Sequence, residues 1–351
     1  MNSKLTGLLL GLLLFTGASS PPSAAAASDA HLESTIAFSS TRDHLKPALT
    51  PMLLGAEVYL MNPATTNPRR LTDNSAFDGF ANLSPDGKKI AFDSTRDTGS
   101  LNVSDLFLMK TDGTEQTKLT HGSSATWSPD SKDIAFHASA SGRGTPIRTD
   151  PGSATSDSDI FVARLEDTGL EQRTDITNSP TMIDDDPDWS ADGQEIVFTS
   201  HAASDLDQRF TNDAEIYVMN PDGTNLQRLT DNGEEERAPA WSPDGSKIVY
   251  SCRVGDGMNP FRICVMNADG SDVQQLTHET DSFSDLTATW SPDGEQVLYH
   301  RGTVRPDGTP GGQQLFVMNA DGSDQTQLTD YTQGVNNLAN WGELRVNGPA
   351  Q

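Results

Sequence analysis

Asp78, Asp184, Glu236 and Asp285 occupy one fixed place in a recurring phrase, five residues before a Leu or Trp, and Gly122 and Asn336 hold that place in two further copies. If the copies stand around a ring, these side chains converge at one mouth of a central opening, thickened by Asp185, Asp186 and Glu235. Converging carboxylates suit a hard cation such as calcium, which takes roughly six to eight oxygen ligands. Asp184, Glu236 and Asp285 are the candidate metal ligands, and with Asp78, Asp185 and Asn336 they form the candidate binding set. The competing account has each acid accepting hydrogen bonds from its own loop, as aspartate does in turns generally. No contiguous D-x-D-x-D-G calcium loop occurs.

Other chemistry finds little support. The chain has no G-x-S-x-G elbow, no G-x-x-x-x-G-K-[ST] loop and no G-x-G-x-x-G loop after a strand. Histidines at 31, 44, 121, 137, 201, 278 and 300 form no H-E-x-x-H or Cys/His zinc pattern. Five of them, His121, His137, His201, His278 and His300, fall at strand ends where a His–carboxylate pair from different repeats could assemble. No catalytic residue is assigned. The only cysteines, Cys252 and Cys264, lie in adjacent strands of one hairpin, where either a cross-strand disulfide or two buried thiols is consistent with the sequence.

The elements that would position these residues come from a repeat. A Trp or Leu followed by S-P-D-G or a near variant places its serine at 84, 128, 190, 242 and 291, spacings of 44, 62, 52 and 49 residues. Such periods indicate propeller blades. A second phrase follows each first one: an apolar run ending in Met-Asn, a D-G turn and a short strand ending in Leu-Thr. Clear copies run from Ile216 through Leu229-Thr230 and from Phe316 through Leu328-Thr329. Glycine after aspartate supplies the positive φ of a tight hairpin. Each repeat therefore reads as four strands, A to D, and the chain as an all-β, six-bladed propeller.

The ends fix the count. Residues 35–43, T-I-A-F-S-S-T-R-D, match residues 89–97, K-I-A-F-D-S-T-R-D, and form a strand B without its own strand A. N-L-A-N-W ending at Trp341 supplies the missing A strand at the other end. It should pair into the first blade and hide two sheet edges at once. The propeller spans 31–345, followed by a tail at 346–351. A-B and C-D turns share one face and are nearly uniform; the other face carries the long loops 41–56, 137–159, 200–214 and 253–260. Binding is expected on that variable face.

Residues 1–27 read as a signal peptide: Lys4, an apolar run from Leu8 to Phe15, then alanines at 24–27. The run is too short for a membrane-spanning helix, so a secreted or periplasmic, monomeric protein is expected. Fifty acidic against 24 basic residues give a net charge of -26, which repels nucleic acid and anionic membranes.

The combination W-S-P-D-G-x-x-I-x-[FY], then [DE]-[IL]-[FY]-V-M-N-x-D-G and L-T, resembles the WD-like repeat of the TolB family over about residues 35–345. The acid that opens strand C in that family is matched by Glu57, Asp105, Asp159 and Glu215, whereas Arg262 and Gln314 depart from it. The resemblance implies a periplasmic propeller binding a protein or peptide of the cell envelope. TolB also carries an α/β domain before its propeller, and only 28–34 lie between the signal region and the first strand here. Similar repeats occur in propeller lyases and lactonases that hold a metal. The expected function is a non-enzymatic binding scaffold, with calcium as a candidate cofactor at the channel mouth; the alternative is a metal-dependent hydrolase or lyase acting on a sugar acid or lactone.

Overall fold

A computed structural model describes residues 30–43, 55–98, 103–139, 145–146, 158–166, 169–179, 182–202, 214–253, 260–278, 283–304, 310–330 and 335–347. The expected signal region at 1–27, residues 348–351 of the expected tail at 346–351 and most of the long variable-face loops lie outside these residues, while 346 and 347 belong to the last strand.

The described chain is all-β, in six antiparallel sheets. Blade 2 comprises Asp78–Leu83, Lys89–Ser94, Val103–Lys110 and Thr117–His121 as strands A to D. Blade 3 follows with Ser123–Trp127, Asp133–Ala138, Asp159–Glu166 and Gly169–Asp175, and blade 4 with Met182–Trp189, Ile196–Ala202, Glu215–Met219 and Gln227–Arg228. Blade 5 holds Glu236–Trp241, Lys247–Arg253, Phe261–Asn267 and Gln274–Gln275; blade 6 holds Phe283–Trp290, Gln296–Val304, Pro310–Asn319 and Thr326–Gln327. Blade 1 begins at its strand B, Ala30–Ser40, continues through Glu57–Met61 and Arg69–Arg70, and takes its strand A from Asn336–Asn347. Trp341 stands opposite Ile36 in that pairing, so the ring closes as the sequence ends require. One addition was not anticipated: Thr145–Pro146, from the long loop of blade 3, pairs with Val103 and Ser104 of blade 2.

The repeated phrases have local physical reasons. In S-P-D-G the serine Oγ donates to the aspartate two residues on, at 2.5–2.8 Å, and accepts the amide five residues on, at 2.9 Å in every copy. In Leu-Thr, and in its Ile176-Thr177 variant, the threonine Oγ1 accepts a strand C amide, that of Val58, Ile160, Ile216, Ile263 or Leu315, at 2.9–3.0 Å in blades 1, 3, 4, 5 and 6, stapling the end of the short strand D to it. The core lies between blades. Ala37, Val58 and Leu60 of blade 1 pack with Ala81, Leu83, Ile90 and Phe92 of blade 2, and equivalent clusters recur around the ring.

Cys252 and Cys264 are joined by a disulfide between strands B and C of blade 5, with Cα atoms 5.8 Å apart. They are diagonal rather than directly opposed: Cys252 faces Arg262 across the ladder and Cys264 faces Tyr250.

Candidate functional site

Each strand A carries a bulge. The residue three before the strand-A Trp or Leu adopts a left-handed conformation in all six blades: Phe80, Ser124, Asp186, Ala238, Thr287 and Leu338, with φ between 48° and 52°. The ladder skips there, between Asp185 and Asp188 in blade 4 and between Leu286 and Thr289 in blade 6, for example. Such conformations cost on the order of 1–3 kcal/mol each and cluster where function demands them. The bulged residues line the central channel, a cavity of about 740 Å³.

The bulges are held by the next blade back. The bulged amide of Ser124 donates to Asp93 at 3.2 Å, Asp186 to His137 at 3.5 Å, Ala238 to Thr199 at 3.1 Å and Thr287 to Ser251 at 2.9 Å. All four acceptors occupy one position of strand B. Ser39 and His300 hold that position in blades 1 and 6, and both Ser39 Oγ and His300 Nδ1 are buried without a partner. One residue before each strand-A Trp or Leu, further bonds tie blades together: Asp188 accepts from Thr126 Oγ1 at 3.0 Å and from the Trp241 amide at 2.9 Å, and Asn340 Oδ1 from the Leu83 amide at 3.3 Å. Burial pushes the Asp188 carboxyl up to about 6.

The bulge also changes which way the predicted ring faces. With the extra residue, the position five before the Trp points into the blade rather than into the channel. Asp78 lies beside Arg96 at 2.8 Å and Asn74 at 2.6 Å, with Arg96 over the Phe92 and Phe107 rings. Asp285 takes a two-pronged contact from Arg301, at 2.7 and 2.9 Å, with Arg301 over Tyr299 and Phe316. Asn336 accepts from Ser40 at 2.7 Å and Arg42 at 3.0 Å. Asp184 accepts from Ser200 at 2.5 Å and Ser179 at 3.2 Å, and Glu236 from Asn232 at 2.9 Å. Asp185 is buried next to its neighbour, and of that acidic run Asp186 reaches the channel wall. Asp285 finds its partner inside blade 6, Asp184 is shared between Ser200 of blade 4 and Ser179 of the connection from blade 3, and Glu236 bonds Asn232 of the connection between blades 4 and 5. Among the described residues no group of three or more His, Cys, Asp or Glu side chains could hold a metal ion.

Two of these acids face a second carboxylate across a blade junction without an arginine of their own. Burial first, then the adjacent Glu215, raises Glu236 to about 7. Burial first, with a smaller contribution from Asp159, raises Asp184 to about 6. Of the histidines, His121 meets Asp105 within blade 2 at 2.5 Å, and His137 and His300 line the channel. Burial pushes His300 down to about 4, so its ring is neutral at pH 7.

Sequence reasoning missed the wall itself. Its signal was present: the residue two before each strand-A Trp or Leu is Ala or Pro, as Ala81, Ala125, Pro187, Pro239, Ala288 and Ala339, and proline inside a strand marks a bulge. Glu235, Arg237 and Arg253 give the blade 5 sector its charge. Glu235 pairs with Arg237 and, at 3.4 Å, with Arg253.

A family model described as the TolB beta propeller domain matches residues 152–345. An uncharacterized protein of Agrobacterium fabrum is 30% identical over 202 residues, which are 55% of this chain and 60% of that protein. The crystal structure of TolB from Acinetobacter baumannii is similar, with a TM-score of 0.63 at 21% identity over 88% of this chain and 66% of that one. A putative TolB from Agrobacterium tumefaciens gives a TM-score of 0.59 at 19% identity, over 90% and 99%. At these identities the structural likeness carries the fold alone.

Proposed function

This chain belongs to the TolB β-propeller family, and from that premise we propose that it is an exported, non-enzymatic scaffold that binds a protein or peptide of the cell envelope around its central channel. The observation that carries the reading is the channel wall: six strained bulges facing one cavity of about 740 Å³, large enough for an extended peptide segment and lined by both polar and apolar groups. Rigid walls of this kind limit the ordering cost of binding. A periplasmic location accords with the signal-like residues 1–27 and with the family. No helix among the described residues is long and apolar enough to cross a membrane. Asp184, Glu236 and Asp285, the residues expected to hold the metal of the lyase or lactonase alternative, do not line the channel cavity, which favours the scaffold reading.

Thr289 lines the channel without being buried, so Thr289→Trp should fill it and leave the blades intact. Mature protein immobilised against extracts of the native envelope should capture a partner that the Thr289→Trp variant loses. Capture at equal yield by both would move binding away from the channel.

A further inference from the structure

The channel wall is unevenly satisfied. Around blades 2 to 5, strand-B side chains are spent on holding the bulges, as described above. The sector from blade 5 through blade 6 to blade 1 is different. His300 occupies the bulge-holding position but its Nδ1 has no partner, although the side chain is 4% exposed. Arg237, on strand A of blade 5, uses its Nε on Glu235 and keeps a buried Nη1 without a partner. Asn337, on strand A of blade 1, donates from Nδ2 to Gln313 at 2.5 Å and keeps a buried Oδ1 unfilled. All three line the one cavity, on three consecutive blades. A buried polar atom left unpaired is costly, and three on one wall point to a ligand that completes them.

Their chemistry specifies that ligand. Arg237 offers a charged donor in fork geometry, suited to a carboxylate. His300 can present Nδ1–H in its neutral tautomer. Asn337 Oδ1 accepts only, and so requires an N–H from the ligand. We propose that this sector is a carboxylate subsite, in which Arg237 and His300 receive an acidic side chain of a bound peptide while Asn337 accepts one of the peptide's backbone amides. The proposal rests on the reading that the channel binds a peptide, and it deepens that reading. The acidic surface of the protein opposes such a ligand at long range, so the subsite has to act by contact at the wall rather than by attraction from solution.

The test uses the full mature chain labelled with 15N-histidine and three probes: a blocked tripeptide Ac-Gly-Asp-Gly-NH2, its Asn counterpart, and acetate. The Asp peptide should shift the His300 ring nitrogens, and the Asn peptide should not at equal concentration. Arg237→Gln and Arg237→Lys should each weaken the Asp peptide about tenfold or more, with thermal melts showing that both variants fold. Asn337→Ala should weaken the peptide and leave acetate unaffected. Equal binding of the Asp and Asn peptides with His300 unmoved overturns the carboxylate subsite and leaves channel binding standing. Acetate matching the peptide, with Asn337→Ala silent, overturns the peptide half. If no probe shifts any channel signal while the immobilised protein still captures a partner through its channel, the subsite is wrong; if capture is also absent, the binding reading fails with it.

Discussion

Glu236 and Asp285 occupy equivalent places and live in opposite surroundings. Arg301 neutralises Asp285, and both are almost fully buried. Asp285→Asn leaves that arginine without its charge partner, which should lower unfolding stability by about 3 kcal/mol in urea titrations, the scale of a broken buried pair. Glu236 has Glu215 nearby and holds its proton up to about 7, against 4.5 as an isolated group. Between those values the folded chain binds more protons than the unfolded one, so stability falls as pH rises. Asp184 contributes with the same sign between 3.8 and about 6. His300 works oppositely: its contribution is full above 6.5 and is lost as pH falls toward about 4. Glu236→Gln should therefore match the wild type near about pH 4, below the isolated value, and exceed it by about 1–3 kcal/mol near about pH 8. A wild-type advantage at the higher pH would show that the site is ionised and paired. The acid at this position was legible in the sequence, but its partner was not, because the arginine stands in a different strand.

At the scale of strands and turns, two glycines with nearly the same backbone separate two effects. Gly245, in an A-B turn with φ +69°, has open space where a Cβ would go. Gly270, in a C-D turn with φ +83°, would place a Cβ 2.7 Å from the Leu229 carbonyl oxygen of the preceding blade. Gly245→Ala should cost about 1 kcal/mol of conformational strain. Gly270→Ala should cost clearly more, since blades must also move apart, and chemical denaturation of the two variants side by side measures the difference. Equal costs would mean that the D-G turn is needed for its φ alone. The D-G spacing announced the turn in the sequence; that it also sets the distance between blades depends on a carbonyl about forty residues earlier, brought near by the ring.

The whole molecule is held by the pairing of its two ends. Asn336–Asn347 lies along Ala30–Ser40 from Asn347 opposite Ala30 to Asn336 opposite Ser40, and Trp341 Nε1 donates to Ser34 at 2.7 Å. Removing 336–345 strips blade 1 of its inner strand and exposes an edge beside the channel. The truncated protein should lose its single cooperative melt in calorimetry; an unchanged transition would show that the closure is dispensable.

Blade number, strand order, the closing strand and the uniform turns were legible because each rests on short-range chemistry: Ser bonding Asp two residues on, Thr bonding an amide across one hairpin, glycine at positive φ. The candidate site was legible only in composition. Asp78, Asp184, Glu236, Asp285 and Asn336 were correctly placed in one register, yet a single bulged residue per strand reverses side-chain parity and turns them from the channel into the blades. Which atoms remain unsatisfied at the wall, Arg237 Nη1, His300 Nδ1 and Asn337 Oδ1, is a property of neighbouring blades together. The sequence determined the repeating unit; the closing of six units into a ring decided what faces the hole, because only there do side chains far apart in sequence compete for the same hydrogen bonds.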